Sequence, residues 1–75
     1  MTTSRVWFEL VDEISGARTR VAIVCCTSYT NEVWADDPDS DCKGFVCRFR
    51  TAREARHHAD EQCKRLVAAG YTRVP

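Results

Sequence analysis

From Arg5 to Asp12 apolar and polar side chains alternate, with Val6, Phe8 and Leu10 on one side and Trp7, Glu9 and Val11 on the other. That two-residue period predicts a strand with one buried face. Ser15-Gly16 supplies a turn, and from Arg18 to Cys26 the alternation resumes. Thr19, Val21, Ile23 and Cys25 then share one face and Arg20, Ala22, Val24 and Cys26 the other, so the two segments predict a β-hairpin. Tyr29 to Trp34 either lengthens the second strand or makes a short third one. The run Asp36-Asp37-Pro38-Asp39-Ser40-Asp41 is dense in turn formers and predicts an acidic loop over 35–43. After Gly44 a further strand is expected over 44–50, with Phe45, Cys47 and Phe49 facing inward and Val46, Arg48 and Arg50 outward.

Beyond Phe49 the period becomes helical. Thr51 stands three residues before Glu54, the spacing of a capping box, in which a threonine oxygen accepts the glutamate amide while the glutamate reaches back to the threonine N–H. Gly70 follows Ala69 where a left-handed residue closes a helix, and Tyr71 is placed to fold back onto Leu66. A helix over 51–69 follows. Ala52, Ala55, Ala59, Cys63, Leu66 and Val67 form its inward stripe, and side chains this small let a helix lie close to a sheet, with the tightest contact expected at Ala59. Glu61 and Arg65 make an i,i+4 pair worth about 0.2–0.5 kcal/mol on the outer face. Tyr71 to Val74 suits an edge strand. The fold class expected is therefore α+β: one domain over 1–75, an antiparallel sheet of three to five strands with one helix packed on one face, in the order ββ(β)βαβ.

Composition adds limits. A chain of 75 residues buries only about 60% of its unfolded surface, leaving little stability to spare. The longest apolar run, Val21 to Cys26, is far too short to cross a bilayer, and polar residues from Met1 to Arg5 followed by Glu9 give no secretory leader. The expectation is a cytoplasmic protein without a membrane partner, its five cysteines reduced. Net charge is zero but unevenly spread: from Asn31 to Asp41 the chain carries −5, and from Arg48 to Pro75 it carries +4. Charge segregated in this way speaks to partners rather than to fold.

Four chemistries bear on these residues. Cys42, Cys47, His57, His58 and Cys63 offer thiolates and imidazoles for zinc, but Cys42-x4-Cys47 is at the loose end of ligand spacings. Cys47 and Cys63 also fall on inward faces, where free cysteine behaves as a small hydrophobe. Asp37, Asp39 and Asp41 alternate as in an EF-hand, yet Cys42 stands where its glycine belongs and Arg48 where its bidentate glutamate belongs, so that motif is excluded. No glycine-rich elbow or oriented cysteine–histidine pair marks a nucleophile, and the three glycines are too scattered to cradle a phosphate. No enzymatic activity and no cofactor are expected. Arg48, Arg50, Arg53 and Arg56 cluster where the last strand enters the helix and offer a nucleic-acid-binding alternative, against which stands a pI near 6.7.

The leading expectation is a protein–protein interaction protein. Trp34 beside Asp36, Asp37, Asp39 and Asp41 joins a large burial area to charges that steer encounter with a basic partner surface. The stretch from Phe49 through Thr51 and the helix to Gly70-Tyr71 is similar to the end of WGR domains, with Val33-Trp34 near their tryptophan strand. Ala35-Asp36 replace the glycine and arginine expected after that tryptophan, so the resemblance implies shape and not DNA contact. In kind, a tiny domain with segregated charge and no catalytic motif resembles phage and mobile-element inhibitors of host machinery such as anti-CRISPR proteins. An acidic loop of this kind can also imitate a phosphate backbone and occupy a nucleic-acid-binding groove.

Overall fold

The computed structural model describes residues 3–36 and 46–74. In chain order these form β1 (Thr3–Val11), β2 (Arg18–Cys26), β3 (Glu32–Asp36), β4 (Cys47–Arg48), α1 (Ala52–Ala68) and β5 (Thr72–Val74). The strands make one sheet in the order β4-β3-β2-β1-β5, every neighbouring pair antiparallel. One helix on one antiparallel sheet is the expected α+β architecture.

The hairpin turns on Asp12 and Gly16. Asp12 N–H donates to the Ala17 carbonyl at 2.9 Å and Gly16 N–H to the Asp12 carbonyl at 2.8 Å. The Asp12 carboxylate accepts from the Ile14 and Ser15 amides at 2.8 and 3.4 Å, which holds its pKa below the usual carboxylate range. Gly16, at φ 74°, takes the left-handed conformation that lets the chain return. The resulting register pairs Val6 with Ile23, Phe8 with Val21 and Ser4 with Cys25. On the next strand Val33 pairs with Cys25 and Ala35 with Ile23. Period-two alternation thus gathers Phe8, Ile23, Cys25 and Val33 onto one buried face.

Against that face lies α1. Glu54 N–H donates to Thr51 Oγ1 at 3.1 Å, the expected cap, while Glu54 Oε1 accepts from the Thr51 hydroxyl at 3.2 Å rather than from the Thr51 backbone N–H of a full capping box. At the far end Tyr71 N–H donates to Leu66 O at 3.0 Å and Gly70 N–H to Val67 O at 3.1 Å, with Gly70 at φ 101°. Those two bonds define a Schellman stop. Ala55 has no exposed surface at all, whereas Ala59 is only partly buried, so the closest helix–sheet approach is one turn earlier than the sequence predicts. Val67 departs further, at 57% exposure, because it projects from the side of the helix above β1 rather than down onto β2.

Two strand boundaries also differ. Ala35 and Asp36 end β3 instead of opening the loop, pairing with Ile23 and Ala22, since Val33-Trp34-Ala35-Asp36 sustains the in–out alternation. The rest of the predicted 35–43 loop, with Asp37, Asp39, Asp41 and Cys42, lies outside the described residues. Of the strand expected over 44–50 only Cys47–Arg48 is laddered among the described residues. Phe49 N–H donates to Asn31 O at 2.7 Å and Asn31 Nδ2 to Arg50 O at 3.2 Å, and these bonds redirect the chain toward α1 while Phe49 still packs on the core.

Candidate interaction surfaces

The sheet has a second face that no helix covers among the described elements. Register places Arg5 and Trp34 on either side of Val24, and Trp7 and Asp36 on either side of Ala22. Val24 and Ala22 are both fully buried, and these four larger residues are the described side chains placed to shield them. Arg5 Nη2 meets Asp36 Oδ2 at 3.7 Å diagonally across β2, with the side chains 50% and 34% exposed. Lower on the face Glu9 takes Arg18 and Arg20 at 3.5 and 3.3 Å, and at the upper edge Glu32 takes Arg48 at 3.0 Å. Exposed pairs of this kind contribute about 0–1 kcal/mol each, so they pattern the surface more than they stabilise it. The expected partner-binding residues Trp34 and Asp36 therefore stand together on this face, at the end of β3 that leads into Asp37.

The four arginines of the basic alternative do not form one patch. Arg48 faces the helix-free side beside Glu32. Arg53 borders a hollow with Phe49, Glu54 and His57, and Arg56 lines a groove on the opposite flank of α1. Arg50 is exposed in the connection between. A strand alternates sides every residue and a helix turns about 100° per residue, so sequence neighbours spanning the junction of the two are dispersed.

The zinc candidates are likewise divided. Cys47 and His58 border a common hollow with Val33 and Gln62, while Cys63 lines the groove across the helix and His57 faces outward. The His58 ring lies 5.0 Å from the Phe49 ring at 42°, a packing contact. Among the described residues no group of three or more histidine, cysteine or carboxylate side chains is placed to hold a metal ion. Burial pushes the Cys25 and Cys63 thiols up. Cys26 is drawn down by the Ser28 amide and by the Ser28 and Thr3 hydroxyls, each hydroxyl 3.6 Å from its sulfur. Those neighbours stabilise a thiolate but take no proton, so they do not supply the base of a catalytic pair.

The groove that Arg56 enters lies between α1 and β1 and was not visible in the sequence. It encloses about 460 Å³ over Val6, Phe8, Ile23 and Cys25, with Ala59, Cys63 and Val67 on its helical wall. Among the described residues Arg56, Lys64 and Arg73 stand around it with one carboxylate, Asp60. Only the pairing of Arg73 with Phe8 puts that arginine on the helix side of the sheet, and register across chain ends is not encoded in local periodicity.

No helix among the described residues is long and apolar enough to cross a membrane. No protein-family model, curated protein or solved structure matches the chain.

Proposed function

We propose that this is a non-enzymatic protein–protein interaction protein that engages a basic partner surface through the end of β3 and the acidic residues that follow it. The observation supporting this most directly is the joint placement of Trp34 and Asp36 on the helix-free face, both partly exposed, with Asp36 in a long ion pair to Arg5 at 3.7 Å. A partner cation replacing Arg5 exchanges one weak surface pair for another that becomes shielded by the indole, and shielding strengthens it. Asp37, Asp39 and Asp41 continue the negative charge from that point. The complement to such a series of carboxylates is a surface built for phosphates, so the finer reading is an inhibitor that occupies a nucleic-acid-binding groove, in the manner of anti-CRISPR proteins, acting in the cytoplasm.

Replacing Asp36, Asp37, Asp39 and Asp41 together by asparagine tests the reading. Binding to a polyarginine peptide at low salt, and inhibition of a DNA-binding enzyme that the wild-type protein inhibits, should both be lost while the fold is kept; unchanged binding and inhibition refute it. The nucleic-acid alternative has weaker support, because Arg48, Arg53 and Arg56 occupy separate surfaces. An oligonucleotide mobility shift at low salt decides it.

A further inference from the structure

We infer that the groove between α1 and β1 receives an acidic amphipathic peptide segment of a partner protein. Its existence follows from the small residues of the helix. Ala59 and Cys63 stand where larger side chains would fill the space over Val6 and Phe8, and α1 packs chiefly on β2, touching β3 and β5 less and β1 least, which leaves the inner side of β1 less covered by the helix. Val67 adds an exposed apolar wall. The residues Arg56, Ala59, Cys63 and Val67 recur at helical spacing along one side of α1, so the groove runs about 16 Å at 1.5 Å per residue. That length accommodates about three turns of a helix.

Charge specifies the occupant. Among the described residues no carboxylate lies within ion-pair distance of Arg56 or Arg73, whereas Lys64 is engaged by Asp60 at 3.3 Å and Glu61 at 3.7 Å. Arg73 is the more telling of the two, since it projects on the core side of an edge strand, opposite Phe8. An apolar floor excludes a purely polyanionic ligand, which gains nothing from burying Val6 and Val67. Positive groups spread along the groove, rather than gathered at one end, match several carboxylates on an amphipathic segment better than the single headgroup of a fatty acid. This surface is on the opposite side of the sheet from Trp34 and Asp36, so the protein would bridge an acidic segment and a basic surface.

The probe is a stapled synthetic helix of about three turns with leucines along one side and glutamates flanking them. Titrated into ¹⁵N-labelled protein, it should shift the amides of Val6, Ala59, Cys63 and Val67 and leave Trp34 and Asp36 unmoved. The variant Arg56→Glu with Arg73→Glu should weaken the probe about tenfold or more and bind a lysine-for-glutamate version of it instead. Any of four results overturns the proposal. These are no shift at about 1 mM probe, shifts confined to the helix-free face, tighter binding of dodecanoate at the same amides, or concentration-dependent shifts there without probe, which would make a second copy the occupant. Should the double variant fail to fold, Arg56→Gln alone and the wild-type shift map separate these outcomes.

Discussion

Ala55 offers the sharpest test of how α1 meets the sheet. Its methyl group is fully buried against a cluster containing Phe8, Ile23, Cys25 and Val33, so Ala55→Leu must force three added carbons into occupied space. Overpacking of that kind costs about 1–3 kcal/mol. For a chain of this size 1 kcal/mol corresponds to about 4–8 °C in melting temperature, so a central cost near 2 kcal/mol predicts a fall of about 8–16 °C. Ala59→Leu is the internal control, one turn along on the same helix but facing the groove. There the larger side chain finds space, so stability should change by no more than about 0.5 kcal/mol, while the probe helix should be blocked. Thermal and urea unfolding followed by far-ultraviolet circular dichroism measure both variants. An Ala55→Leu protein melting within about 3 °C of wild type, or an Ala59→Leu protein that is the less stable of the two, would show that the helix is seated differently.

Two further outcomes follow from the ends of elements. Gly70→Ala should cost about 1–2 kcal/mol, because the nearest atom to an added Cβ is Leu10 Cδ1 at an ordinary 3.6 Å and the burden is the positive φ of 101°; Gly70→Asn should cost less, and equal unfolding midpoints for the alanine variant and wild type would refute the Schellman assignment. Asp12, whose pKa is lowered by the Ile14 and Ser15 amides, contributes to the hairpin fully above the ordinary aspartate value of about 3.9 and loses that contribution as pH falls through its depressed folded value. The Ile14 amide should therefore titrate with a midpoint below about 3.9 and stop titrating in Asp12→Asn; a midpoint at or above that value contradicts the turn described.

Local signals are readable where each needs only its own neighbours. The bounds of β2, the face shared by Val21, Ile23 and Cys25, and both ends of α1 follow from alternation, from Thr51-x-x-Glu54 and from Gly70, none of which depends on distant residues. Pairing between distant strands sets the rest. Arg5 meets Asp36 only because β2 lies between β1 and β3, and Arg73 reaches the groove only because α1 carries the chain from the β4 edge to the far edge, where β5 pairs with β1. Arg48 and Arg56 flank Phe49 closely in sequence and so look like neighbours, but the change from strand to helix sends them to opposite sides. Trp34 stands out in the sequence as a candidate, whereas its diagonal relation to Trp7 across β2 depends on register.

The adjacency of the first and last strands carries one more consequence. Trp7 faces Val74 and Glu9 faces Thr72, so β5 runs along β1 toward Thr3 and ends four positions short of it, about 13 Å away at 3.3 Å per residue. A short flexible tether of a few glycines would span that gap, and a new break at Ser15-Gly16 would fall in an exposed bend with no core side chain to disturb. The domain is thus suited to circular permutation and to grafting as an insert within a host protein, because its topology sets the start of β1 near the finish of the neighbouring edge strand β5.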